Sequence, residues 1–324
     1  MAASPSPDDM PHPRNPQPEL HHVALPYGAV HLTRFRPAGT SRGSVLCWHG
    51  AIESGRIFHS RSGKGLAPWL ASRGYEVFVA NQRGRGEAPP TPARGIALDQ
   101  TDVIVDEIPA AIRACLALSG SPWLHLVTHS WGGVLTASSL ARFTELRDLV
   151  TSQSFFGTKR SVCSWTLQRL LYVDLIWKGV APIARGVCGY LPARALRWGS
   201  DDEYAGSHRQ GVNWVRPRPW VDARDGFEYT TALAEGGLPP TLHLAGQNDR
   251  ALGHPDDVAR FAAECGPHEQ RLVLLGRQQG FSRDYGHLDM LTHPQAMAEV
   301  FPLVEAWMEE SQRNKPQAEE GTQR

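Results

Sequence analysis

The chain has 324 residues, enough for one large α/β domain with an insertion or for two ordinary domains. Its 33 basic and 33 acidic side chains cancel, which excludes an overall electrostatic pull toward nucleic acid or an anionic membrane surface. The five cysteines, Cys47, Cys115, Cys163, Cys188 and Cys265, are odd in number and include no C-x-x-C pair. That argues against zinc or dithiol chemistry and predicts reduced thiols in a cytoplasmic protein.

In chain order, residues 1–20 are rich in proline and short polar residues, with too few apolar side chains to offset the entropy of ordering, and are expected to form a disordered tail. They lack the charged start and apolar run of a signal peptide. No apolar run anywhere reaches the roughly 18 residues of a membrane span, so stable membrane insertion is not expected. Over 21–157 short apolar runs recur, "SVLCWHG", "YEVFVANQRG", "WLHLVTHS" and "LVTSQSFFG", separated by helix-length segments such as "GKGLAPWLASRG" and "DVIVDEIPAAIRACLALSG". This pattern predicts buried parallel strands in a doubly wound α/β sheet.

The alternation stops over 158–237, where no strand is expected and "WTLQRLLYVDLIWKGVAPIARGVCGYL" carries apolar residues at helical spacing. An insertion of this length predicts a helical lid over the core. Strand-like runs resume over 238–311 with "TLHLAGQND" and "RLVLLGRQQG", and the helix-like "MAEVFPLVEAWMEE" closes the fold despite Pro302. Residues 312–324 are expected to be a second disordered tail.

The chemistry concentrates at "LHLVTHSWGGV", where Ser130 ends an apolar strand and opens a helix. Such a strand-to-helix turn lifts a hydroxyl above the sheet and aims the free N–H groups of the helix start at a developing oxyanion. Thr128 stands where a small residue, usually glycine, is needed, so its branched side chain must be housed nearby. A serine attacks only when a base takes its proton and an acid orients the base. Asp249, after "TLHLAGQN", and His287, in "YGHLDML", supply these in order. Asp256, Asp257 and His293 are the competitors for those places. The N–H groups of Trp131 and of Ala51, after "VLCWHG", are the candidate oxyanion donors, and His49 reads as structural.

These five segments, "VLCWHG", "LASRGYEVFVANQRGRG", "THSWGG", "LAGQND" and "YGHLDML", resemble in residues and order those of the α/β-hydrolase superfamily. The pair "GYEVFVANQRGRG" and "YGHLDML" is similar to acid lipases and related lid-bearing esterases of the monoacylglycerol-lipase type. The resemblance implies an eight-stranded, mostly parallel sheet with an inserted helical lid, no cofactor and no metal. It also implies hydrolysis of a small-molecule carboxylic ester, with Ser130, Asp249 and His287 as a triad. Serine at the nucleophile position disfavours the dehalogenases and epoxide hydrolases of that fold, which use aspartate there.

Acyl transfer, amide or peptide cleavage, and a binding protein on a hydrolase scaffold remain alternatives, since fold alone does not set function. Trp165, Leu170, Leu171 and Trp177 of the insertion either line an acyl pocket or form its own core. His125, His129 and His254 read as packing or surface residues, and "RGRGEAPP" reads as a structural turn. A neutral histidine base requires activity that rises with pH through roughly 6 to 7.

Overall fold

A computed structural model of the chain describes residues 17–314. The strands are β1 (Glu19–Leu25), β2 (Gly28–Phe35), β3 (Ser44–Trp48), β4 (Glu76–Asn81), β5 (Leu124–His129), β6 (Val150–Phe156), β7 (Tyr190–Leu191), β8 (Glu203–Tyr204), β9 (Thr241–Gly246) and β10 (Gln270–Leu275). Among the described residues eight of these form one sheet in the order β1-β2-β4-β3-β5-β6-β9-β10, and the two-residue strands β7 and β8 pair separately. The β1–β2 and β2–β4 pairings are antiparallel; every pairing from β4 to β10 is parallel.

Burial follows from this order. β3, β5, β6 and β9 are buried at every position, as parallel strands covered by helices on both faces must be. Alternation sends Leu46 and Trp48 of β3 into one core, with the helices Ile108–Ser119 and Trp131–Arg142. Val45 and Cys47 point into the other, with the helices Leu66–Ser72 and Phe301–Asn314. β10 lies at the sheet edge and keeps Gln270 and Arg271 exposed.

The structure moves two expected boundaries. Glu19 and Leu20, assigned to the first tail by composition, begin β1, where Glu19 pairs with Arg34 of β2 and its carboxylate meets Arg36 at 3.0 Å. The last helix continues through Gln312 to Asn314, because Ser311 is buried and Glu310 holds Arg271 at 3.0 Å. Gln17 and Pro18 precede β1 without regular structure, and residues 1–16 and 315–324 of the two expected tails lie outside the described residues. The segment around Pro302 is two helices, Ala296–Glu299 and Phe301–Asn314, so the proline sits in a first turn where no N–H is required.

Between β6 and β9 the chain forms a π-helix (Leu170–Val180), the helices Ala181–Cys188, Ala205–Trp214 and Tyr229–Gly236, and the β7–β8 pair. Polar contacts stitch this insertion to the sheet. Arg160 forks onto Glu264 at 2.7 and 2.8 Å, Asp257 accepts from the N–H groups of Cys163 and Ser164, and Arg85 of the "RGRG" turn pairs with Glu203. Its neighbour Arg83 is buried against Glu107, with Nε donating to Oε1 at 2.8 Å and Nη1 to Pro26 O of the β1–β2 turn at 2.8 Å. "RGRG" is therefore a structural turn. No helix among the described residues is long and apolar enough to cross a membrane.

Arg83 and Glu107 satisfy each other inside the core, so removing one leaves an uncompensated buried charge. Glu107→Ala is expected to cost about 3–5 kcal/mol in urea unfolding. Replacing the pair together with Met and Leu should restore most of that loss.

Candidate active site

β5 ends at His129 and the helix Trp131–Arg142 starts immediately, so Ser130 alone makes the turn. It does so at φ 52° and ψ −124°, a conformation costly for a residue with a Cβ, and its N–H is held by Phe156 O at 2.8 Å. The turn is tight enough that a Cβ on Gly132 would overlap His49 O. Thr128 is fully buried, and room for it exists because Gly133 has no side chain: a Cβ there would overlap Thr158 and lie 2.9 Å from Thr128 Oγ1.

Asp249 follows β9 in a turn closed by its own N–H on Gly246 O at 3.0 Å. One carboxylate oxygen accepts from Leu252 N–H at 3.0 Å, and the other meets His287 Nδ1 at 2.5 Å. Two glycines open the space: a Cβ on Gly157 would lie 2.9 Å from His287 Nδ1, and one on Gly253 would lie 2.6 Å from Asp249 Oδ2. Burial raises the Asp249 pKa, but the neighbouring His287 and the hydrogen bonds outweigh it and hold the carboxyl at about 2. His287 is pulled below the ordinary histidine value, since burial and the nearby cationic His129 and Lys159 outweigh the Asp249 charge.

The competitors are engaged elsewhere. Asp257 holds the start of the insertion, and His254 rather than Asp256 caps the helix Pro255–Glu264, accepting from Asp256 N–H at 3.3 Å. His293 accepts from Gln295 N–H at 3.2 Å in the turn before Ala296–Glu299.

The turn after β3 completes the arrangement. A Cβ on Gly50 would lie 3.0 Å from Ser130 Cβ, so this turn packs directly on the serine. Among the described residues neither Ala51 N–H nor Trp131 N–H has an intramolecular acceptor. His49 is buried, accepts from Gln82 N–H at 3.3 Å and is held neutral by burial, its pKa lowered to about 4. Sequence reasoning missed Glu53, whose Oε1 accepts from Gly50 N–H at 2.5 Å and meets His129 Nδ1 at 2.6 Å. His129, read from sequence as a packing or surface residue, is buried, with its ring 4.7 Å from that of His287 and its Nε2 3.2 Å from His287 O. Burial lowers the His129 pKa and raises that of Glu53, but each charge outweighs this for the other, so both shifts favour the ionised pair. The nearness of Glu53 to "HG" and of His129 to Ser130 was the available signal.

The family described as alpha/beta hydrolase fold matches residues 43–191, which include the turns after β3 and β5. The chain has the α/β-hydrolase fold. Solved structures similar to it include a soluble variant of the monoglyceride lipase of Saccharomyces cerevisiae in complex with a substrate analogue, at 17% identity and TM-score 0.67, covering 93% of this chain and 98% of that one. A carboxylesterase of Bacillus subtilis is 18% identical with TM-score 0.54, covering 90% and 92%. A haloalkane dehalogenase loop variant from Bradyrhizobium elkanii is also 18% identical, with TM-score 0.59, covering 92% and 98%. No curated protein matches the chain by sequence. Neighbours with different chemistries share the α/β-hydrolase fold, so function has to be argued from the site.

In this α/β-hydrolase fold Ser130 and His287 line one cavity of about 420 Å³, without a hydrogen bond between them, together with Ala51 and Trp131. Its remaining wall is mostly apolar and includes Ile52, Val162, Val173, Trp177 and Leu252, with Lys159 among them. Of the four insertion residues read as pocket lining or insertion core, Trp177 lines this cavity and Leu170 is exposed. Trp165 is 81% exposed and packs on Arg169, and Leu171 is also exposed; helical spacing identified their apolar face but not the direction it takes. A larger, shallower depression beside Arg147 and Pro239 is lined by none of the candidate residues.

Because Gly133 gives room to two threonines, Gly133→Ala is expected to destabilise the protein by about 1–3 kcal/mol in urea unfolding. Adding Thr158→Ala should recover part of the loss.

Proposed function

We propose that the protein is a serine hydrolase of carboxylic esters. The observation that carries this reading is the strained Ser130 on the wall of the cavity that also receives His287, whose Nδ1 is bound to Asp249 at 2.5 Å. With Nδ1 so held, Nε2 of a neutral His287 is the free basic nitrogen. It takes the Ser130 proton as Oγ attacks the ester carbonyl, and Asp249 stabilises the imidazolium that forms. The unoccupied N–H groups of Ala51 and Trp131 receive the oxyanion, and the start of the helix Trp131–Arg142 adds its dipole. His287 returns the proton to the departing alcohol. Water, activated by the same nitrogen, then releases the acid from the acyl-enzyme.

The insertion acts as the lid in this reading, with Val173 and Trp177 shaping the cavity and excluding water from it. The predominantly apolar wall supports an apolar stretch of acyl chain next to the ester carbonyl.

Loss of a triad nucleophile lowers turnover about a millionfold. Ser130→Ala is accordingly expected to abolish hydrolysis of a p-nitrophenyl ester series and labelling by a fluorophosphonate; a fully active mutant would sink the proposal. The base must be deprotonated, and His287 is shifted downward. The logarithm of kcat/KM should therefore rise with pH to a midpoint below the ordinary histidine value of about 6.5 and stay level from there to pH 8. A midpoint above 7 would contradict the role given to His287.

A further inference from the structure

Lys159 follows β6 by three residues and is only 7% exposed as a residue, yet it lines the cavity beside Ser130 and His287. Among the described residues its ammonium has no hydrogen-bond acceptor and no carboxylate within 4.0 Å, and it lies over the Trp131 ring, 5.8 Å from the centroid. The two nearest anions are already committed. Asp249 binds His287 and Leu252 N–H, and Asp257 binds the N–H groups of Cys163 and Ser164. Burial accordingly pulls the Lys159 pKa down, with only partial compensation from the Asp249 and Asp257 charges. A buried ammonium in an apolar wall is costly unless an anion meets it, and among the described residues no carboxylate pairs with it directly.

We propose that Lys159 is a specificity-determining residue, and that the preferred substrates are esters whose acyl part carries a carboxylate, as in half-esters of dicarboxylic acids. The acyl part is the side to which this geometry points. The leaving alcohol must face His287 to be protonated, whereas the Lys159 ammonium stands over the ring of Trp131, the residue that follows the serine. The apolar wall takes the methylene chain between the two carbonyl carbons, and the ammonium takes the far end. Arg56, exposed and also bordering the cavity, adds a second positive charge at its opening.

The inference rests on the ester-hydrolase reading, so its test separates the two. Hydrolysis of monoethyl glutarate and of ethyl valerate, equal in acyl length, is followed by pH-stat. The wild type is expected to favour the charged ester by tenfold or more in kcat/KM, the range of a charge-assisted hydrogen bond. Lys159→Met should bring the ratio to one or below, and Lys159→Arg should keep it above one. Equal losses on both esters in Lys159→Met, with the ratio intact, would overturn the inference and make Lys159 a counter-charge for Asp249.

Binding of monoethyl glutarate to Ser130→Ala, followed by NMR titration, needs no turnover. Affinity lost in the Ser130→Ala, Lys159→Met double variant supports the carboxylate site even if no ester is hydrolysed, in which case only the catalytic reading fails. Affinity equal in the two proteins would overturn the site by itself.

Discussion

The candidate site depends on three backbone turns brought closer than side chains would ordinarily allow. The turns after β3, β5 and β6 meet at one end of the parallel strands, and Gly50, Gly132, Gly133 and Gly157 are the positions where a Cβ would strike the neighbouring turn or the His287 ring. Their contact packs the turn that carries Gly50 against the serine, gives His287 room next to β6 and accompanies the strained backbone of Ser130. Parallel pairing makes this convergence available, because the turns that follow successive strands all emerge on the same side of the sheet. The two helix layers then hold the strands in register from both faces.

Much of this was legible in the sequence because the relevant signals are local. Continuous apolar runs ending in glycine or polar residues located β3 to β6, β9 and β10, and the order of Ser130, Asp249 and His287 along the chain matched the order of the strands that carry them. The β1–β2 hairpin went unread. Its first strand alternates half-buried and exposed residues, and it adjoins a proline-rich segment that dominates the composition of that end. Glu53, His129 and Lys159 were not legible as a set, since each acquires its meaning from a neighbour distant in sequence. The same holds for Trp165 and Trp177, which lie on one apolar stretch but face solvent and cavity respectively.

The insertion shows how polar contacts can add to apolar burial, since Trp214, Trp220 and Tyr229 join one core while other side chains pair with the fold beneath. Arg85 with Glu203 ties it to the turn after β4, and Arg160 with Glu264 and Asp257 with two backbone N–H groups tie it to the helix Pro255–Glu264. Directional bonds of this kind define position more sharply than apolar burial, which tolerates sliding. Several of its large side chains, among them Leu167, Ile183 and Val187, remain turned outward, so its apolar residues serve its attachment only in part.

Ser130 is held at a backbone angle that it would leave if released, and a residue in such a region stores about 1–3 kcal/mol. That energy is balanced by the packing of the surrounding turns and by nothing within the serine itself. A loosened neighbour anywhere along this edge therefore lets the serine relax before any strand separates. The geometry of this turn therefore has a smaller margin than the fold that carries it.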